Sequence, residues 1–318
     1  MAKLKLGSYW GAACGGCDTA ILDVHEKILD IDAAADILFW PIAVDFKYKD
    51  VEAMPDGHMD VVLFHGAVRN SENEHIARLL RKKSKVLVAF GSCAHLGGIP
   101  SLANLYDKKQ IFQYVYHDSP STVNPEGVEP QPVTSVPEGE ITIPKFYDTV
   151  MPLDSVVDVD YFVPGCPPTP KQIWNVVEAI VTGNLPAKGS VVGASSKTQC
   201  DECHLKKNEK KITGFKRIAT AQPEQETCYL EQGFLCMGPI TRGGCDTRCQ
   251  LSGVPCRGCY GPVDGVLDMG AKAISAIASV IEAKDEDEIE SIVAQIPDAL
   301  RTFNRFAIGA SLLRRKTL

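Results

Sequence analysis

Eight cysteines crowd the segment from Cys200 to Cys259. A Cys-x-x-Cys pair, Cys200 and Cys203, opens it, Cys228, Cys236, Cys245 and Cys249 follow, and a second pair, Cys256 and Cys259, closes it. A cysteine pair two residues apart lets one turn of backbone aim two thiolates at a common centre, so two pairs with four further cysteines supply two four-thiolate sites. A third pair, Cys14 and Cys17, stands near the N-terminus, and Cys93 and Cys166 are isolated, for twelve in all. Twelve divides into three sets of four with none left over, which favours three cubane iron–sulfur clusters, each held by four thiolates. Three clusters in one chain suggest a wire for electrons. Four-cysteine zinc sites also use Cys-x-x-Cys pairs, so within the C-terminal segment spacing alone leaves both metals open.

The elements around the other four cysteines are more discriminating. Residues 3–10 read as a strand, and Cys14 and Cys17 follow it in a glycine-containing loop. A helix over 19–30 should leave that loop, with Asp18 as its cap. Strands are expected over 35–44 and 59–68, the second carrying the unbroken apolar run of a central parallel strand, then an amphipathic helix over 71–82. A buried strand over 85–90 ends just before Cys93, and a short one over 159–163 just before Cys166. Thr169, Pro170 and Gln172 supply an N-cap, a first-turn proline and a capping-box partner for a helix over 171–181. Strands alternating with helices imply an α/β fold with a flavodoxin-like, doubly wound parallel sheet, which binds ligands at the carboxyl ends of its strands. All four cysteines lie at those ends, so the topology gathers residues far apart in sequence. Zinc sites seldom collect ligands this way.

The chain of 318 residues, 45% hydrophobic and 23% charged, can bury a real core, and its length suits two domains. A break at the Gly183–Ser196 linker gives domains 1–190, carrying the sheet, and 191–318, a cysteine-rich iron–sulfur domain with C-terminal helices over 265–283 and from Asp285 to Val293. Residues 100–157, rich in proline, serine and acids, look like an insertion over the sheet. A net charge of −7 argues against a nucleic-acid binder. The basic run 206–211 reads as a solvated loop. No apolar stretch is long enough to span a membrane, no leader or twin-arginine signal precedes Cys14, and unpaired thiols suit a reducing compartment, so a cytoplasmic location is expected. The seven histidines form no cluster; His204 reads as a surface residue, and His95 as a neighbour of a cluster bound by Cys93. No phosphate-binding glycine motif is present.

The cysteine order, from the Cys14 pair through Cys93 and the Gly-Cys-Pro-Pro at Cys166 to the eight-cysteine segment, resembles the small, electron-transferring subunit of nickel–iron hydrogenases. More narrowly it is similar to the cytoplasmic methanogen type that does not reduce the deazaflavin F420 and serves heterodisulfide reductase. The resemblance implies that Cys14, Cys17, Cys93 and Cys166 hold a proximal [4Fe-4S] cluster, nearest the nickel–iron centre of a separate large subunit. Cys200, Cys203, Cys228 and Cys236 would hold the distal cluster, all-thiolate where many members use a histidine. Cys245, Cys249, Cys256 and Cys259 would hold the medial one, as a four-iron cube where many members have three irons. Implied partners are the large subunit, with a small delta-type iron–sulfur subunit and heterodisulfide reductase as acceptor. The chain lacks the paired terminal Cys-x-x-Cys motifs that bind nickel, so no complete active site is expected in it. The F420-reducing hydrogenase and a zinc-binding scaffold protein are the alternatives.

Overall fold

Apolar residues on the central strands alternate between two cores. In a computed structural model, which describes residues 3–209 and 211–313, the strands are β1 (Leu4–Trp10), β2 (Ala35–Phe39), β3 (Met59–His65), β4 (Val68–Asn70), β5 (Ser84–Phe90), β6 (Val133–Val136), β7 (Gly139–Thr142), β8 (Phe146–Met151) and β9 (Tyr161–Val163). Val62 and Phe64 of β3, with Leu87 and Ala89 of β5, enter one core, and the intervening Val61, Leu63, Val88 and Phe90 enter the other. The period of two along a pleated strand produces this division. Helix Ser71–Lys83 covers the first face through Ile76, Ala77 and Leu80, and helix Pro170–Val181 covers the second through Ile173 and Val176.

The main sheet has the order β2-β1-β3-β5-β9, and all of its pairings are parallel. Counting only its own strands, this is the flavodoxin-like order, which reverses direction beside β1 and opens a crevice there. The expected doubly wound α/β sheet is present. The helix at Pro170 begins as its sequence predicts: Thr169 accepts from Gln172 N at 3.2 Å, and Gln172 Oε1 accepts from Thr169 N at 3.3 Å.

Several local expectations need correction. The helix expected over 19–30 is broken into Gly16–Leu22, a 3-10 turn and Ile28–Ala34, because His25 adopts a positive φ of 57°. Asp18 does not cap it; it sits inside the first piece with its side chain turned into the protein. The strand expected over 59–68 stops at His65, and Val68–Asn70 leaves the main sheet to pair antiparallel with β8. The insertion is thus partly ordered: Asn104, buried, exchanges two hydrogen bonds with Val150, and β6 and β7 form an exposed hairpin. The 183–196 segment is not a free linker. Phe162 N donates to Ser190 O and Val192 N to Phe162 O, so the segment lies along the outer edge of β9.

Regular structure is sparse in the cysteine-rich part. Its core joins Cys236, Met237, Ile240 and Cys256 to Met269, Ala273 and Ile277 of helix Met269–Ala278 and to Phe303. That helix is shorter than 265–283, while helix Glu286–Ala294 starts as expected, with Asp285 accepting from Glu288 N at 2.9 Å. Of the basic run, Lys206 pairs with Glu226 and Lys211 with Glu282, both exposed, and Lys210 lies outside the described residues. Tyr260 donates to Gln172 Oε1 at 2.6 Å, and Gly98 N to Phe306 O at 3.1 Å, which ties this part to the sheet. Among the described residues no helix is long and apolar enough to cross a membrane.

Candidate metal centres

The turn carrying Cys14 and Cys17 is held against the end of β3. Gly11 N donates to His65 O at 2.7 Å, and Ala12 and Ala67 exchange backbone hydrogen bonds of 2.8 and 3.0 Å. Cys93 lies in the short helix Gly91–Leu96 that begins where β5 stops, and Cys166 follows β9, with a cis peptide to Pro167. Ser92 joins these two positions, since its N and Oγ both donate to Gly165 O, at 2.7 and 2.9 Å. Two glycines make room for the sulfurs. A Cβ on Gly91 would stand 2.6 Å from Cys17 Sγ, and one on Gly98 2.6 Å from Cys93 Sγ; both backbones have positive φ, which glycine alone adopts without strain. The thiol of Cys17 consequently faces those of Cys93, Cys166 and Cys14. The first expected set of four is brought together.

The second group forms around Cys200, whose electrostatic neighbours are Cys236, Cys228 and Cys203. A Cβ on Gly238 would lie 3.1 Å from Cys200 Sγ and 3.4 Å from Cys236 Sγ, so these two sulfurs flank the same gap. In the third group Cys259 faces Cys249 and Cys245, and Cys166 N donates to its sulfur, which places this group beside the first. Cys256 interacts with Cys236 more strongly than with Cys259. It stands between the second and third groups.

Burial pushes up the thiols of Cys17, Cys93, Cys166, Cys200, Cys236, Cys249, Cys256 and Cys259, and neighbouring thiols add to the effect. Cys93 is raised to about 12 and Cys259 to about 12, Cys200 likewise to about 12 against the opposing charge of Lys207, and Cys236 to about 11. Opposing them are N–H donors aimed at sulfur: Ile99 to Cys93, Gly238 and Cys256 to Cys236, Arg257 to Cys249 and Gly258 to Cys256. Metal-free, the raised thiols of Cys93, Cys200, Cys236 and Cys259 hold their protons near neutral pH, and a thiophilic metal must displace them. The amide donors then remain to stabilise negative charge on the ligated sulfurs. None of the twelve cysteines is in a disulfide.

A single ion would need its donors drawn more closely together than a cluster does. A tetrahedral zinc ion draws its sulfurs to about 2.3 Å from one point. Among the described residues no three His, Cys, Asp or Glu side chains converge in that way, although the thiols are close enough to repel one another. Groups made of cysteine alone suit the all-thiolate ligation of iron–sulfur clusters.

Sequence reasoning missed several supporting residues. Asp18, buried beside Cys17, accepts from Trp40 Nε1 at 2.7 Å and lies 3.0 Å from His65 Nε2; its position directly after a cysteine was the available signal. Gln199 Nε2 donates to Gln250 Oε1 at 2.8 Å and approaches Cys245 Sγ at 3.7 Å. His95, expected near the Cys93 site, packs on the Phe162 ring at 4.8 Å; burial and then the charge of Arg242 push its imidazole down to about 4, so it is neutral. His204 is exposed, as expected.

Residues 14–180 match the protein family described as NADH ubiquinone oxidoreductase, 20 Kd subunit. An iron-sulfur subunit of the F420-non-reducing hydrogenase of Archaeoglobus profundus is 42% identical, covering 98% of each chain. A vhu subunit of the F420-non-reducing hydrogenase of Methanocaldococcus jannaschii is 38% identical, again covering 98% of each. Among solved structures, a chain of an NAD+-reducing [NiFe]-hydrogenase in the H2-reduced state superposes with a TM-score of 0.50 at 28% identity, covering 58% of this chain and 94% of the other.

Proposed function

The chain belongs to the same family as these F420-non-reducing hydrogenase subunits, and from that premise we propose that it is the electron-carrying small subunit of a nickel–iron hydrogenase. It is a component of an oxidoreductase complex. The observation that carries the detailed reading is the meeting of Cys14, Cys17, Cys93 and Cys166 at the crevice of the sheet, with Gly91 and Gly98 leaving room for their sulfurs. These four would hold the proximal [4Fe-4S] cluster; Cys200, Cys203, Cys228 and Cys236 the distal; and Cys245, Cys249, Cys256 and Cys259 the medial. Bound there, the clusters supply one-electron carriers between the hydrogen-splitting site of the partner and an acceptor. The Archaeoglobus relative is named as an iron-sulfur subunit, which supports this choice of metal.

The chain's own residues orient the path. Cys14 and Cys166 are exposed, and Trp10, itself 41% exposed, donates through Nε1 to Ala13 O next to Cys14; this is the face we assign to the nickel–iron large subunit. The amide donors to Cys93, Cys236, Cys249 and Cys256 set the local field, and burial excludes water from Cys93, Cys236 and Cys256. At the other end, Cys200 and Cys228 line a depression of about 480 Å³ together with Lys207 and Glu231. We assign it to the acceptor, a delta-type iron–sulfur subunit leading to heterodisulfide reductase, in the cytoplasm. We place the domain boundary at 190/191.

Anaerobic purification of the complex followed by iron, sulfide and zinc analysis tests the reading. About twelve irons and as many acid-labile sulfides per chain are expected from three cubes. Stoichiometric zinc without sulfide would overturn the cluster assignment.

A further inference from the structure

One cavity lies apart from the thiol groups' own gaps and carries a charge opposite to that of the chain. It holds about 250 Å³ between the segment at Phe215, the residues flanking Cys256 and the stretch from Gln295 to Arg305, and four of its lining residues are Lys216, Arg217, Arg257 and Arg305. No carboxylate lines it. Among the described residues none of the four side chains forms an ion pair or hydrogen bond with an acid. The chain as a whole is acidic, with a formal charge of −7, so four unopposed cations around one hollow are not a sample of the general surface. Arg305 is half-buried, and its charge is disfavoured first by that burial and then by Arg257. Bringing two guanidinium groups together and partly drying one costs free energy that the chain's own residues do not offset.

Apolar walls accompany the charges, including Phe215 and Phe234. A free hydrated phosphate gains nothing from such walls. The volume is also below the roughly 300–1,000 Å³ usual for sites of small organic ligands. It suits a pair of side chains, and half-buried arginines next to aromatic surface are what protein interfaces concentrate at their centres.

We infer that this cavity is a docking socket for an acidic segment of a partner subunit, one that inserts carboxylates onto Lys216, Arg217, Arg257 and Arg305 and packs apolar side chains against Phe215 and Phe234. The socket adjoins the third cysteine group, since Arg257 lies within the Cys256-x-x-Cys259 pair and its N–H donates to Cys249. It is therefore a contact separate from both the exposed Cys14 and Cys166 face and the Cys200 depression. The inference rests on the proposal that the chain works within a multisubunit hydrogenase.

The test uses the assembled complex. A photo-crosslinking residue is placed by Ala219→p-benzoylphenylalanine at the socket rim, and the crosslinked peptide is identified by mass spectrometry. A partner peptide with at least two acidic residues near the crosslink is expected. Arg217→Glu with Arg305→Glu should weaken association with that subunit at least tenfold and flatten its salt dependence, while Arg217→Lys with Arg305→Lys keeps most of it. A crosslink confined to this chain, a partner peptide without acids, or unchanged affinity in the charge-reversed variant overturns the proposal. So does protection of the site by millimolar pyrophosphate in the assembled complex, which would make the occupant a free anion. Iron and sulfide content, read on the same samples, reports separately on the electron-carrier reading.

Discussion

At Gly98 a hydrogen atom decides whether Cys93 can serve as a ligand. A methyl group there would stand 2.6 Å from Cys93 Sγ and 2.8 Å from its Cα, so the buried sulfur and its backbone would both have to shift. With φ at +56° and ψ at −157°, the position is also one that residues with a side chain enter only at a cost of about 1–3 kcal/mol. Gly98→Ala is expected to yield protein with about four fewer irons per chain, read by metal analysis, because the methyl group would displace the backbone that carries Cys93 as well as its sulfur and so close the seat of the whole cluster. Cys249 offers a milder change. Cys249→Ala removes one thiolate from the third group, leaving one iron without a protein donor, and about one iron per chain should be lost on oxidation. The oxidised variant should then show the paramagnetic resonance signal of a three-iron cluster, which an oxidised four-iron cube lacks. A silent variant with full iron would remove Cys249 from the ligand set.

Elements are locked together by a few buried polar groups, of which Asp160 is the most connected. It lies just before β9, accepts from Leu87 N of β5 at 2.8 Å, and pairs with Arg81 of helix Ser71–Lys83 at 2.5 Å and with Lys188 of the edge segment at 2.6 Å. Burial works against its charge, but Lys188, Arg81 and the Leu87 N–H outweigh it and hold the carboxyl below its ordinary value of 3.8. A depressed carboxyl adds stability that is present above that ordinary value and lost as pH falls through the lower folded value. Asp160→Asn, which keeps the shape but not the charge, should destabilise the chain by about 2 kcal/mol at pH 7. The loss is measured by urea unfolding followed through circular dichroism. The same gap is expected at pH 5, since both pH values lie above the titration; a gap that narrows between them would show that Asp160 is not the charged hub described here. Because the cysteines that follow β5 and β9 are aimed by these strands, the variant should also hold its proximal irons less firmly.

The whole chain presents a route rather than a reaction centre. Its cysteine groups run from the exposed Cys14 and Cys166, through the third group, to a depression at Cys200, and Cys166 N donating to Cys259 Sγ links the first two. On the proposed cluster assignment, a protein built this way would carry electrons between partners. The isolated chain is expected neither to consume nor to evolve hydrogen, whereas adding the large subunit should restore hydrogen-dependent dye reduction. Hydrogen uptake by the lone, verified chain would mean that the active site has been placed in the wrong subunit.

The amino-acid order was enough to nominate the cysteines as ligands, because cysteine spacing is local and the strand-ending positions of Cys14, Cys17, Cys93 and Cys166 follow from apolar runs that end just before them. The parallel sheet was legible for the same reason: β3 and β5 are continuous apolar runs, and the helix at Pro170 announces its own start. Tertiary structure alone decided what no local pattern encodes. Asp18 looked like a helix cap, yet it is drawn inward because Trp40 and His65, distant in sequence, offer it hydrogen bonds that solvent-exposed capping could not match. The apparent linker at 183–196 became an edge of the sheet because the exposed backbone of β9 needed partners. The place of Cys256 between two groups was equally invisible, since it depends on how an almost loop-only segment folds around its own sulfurs, where neither helical nor strand periodicity leaves a mark.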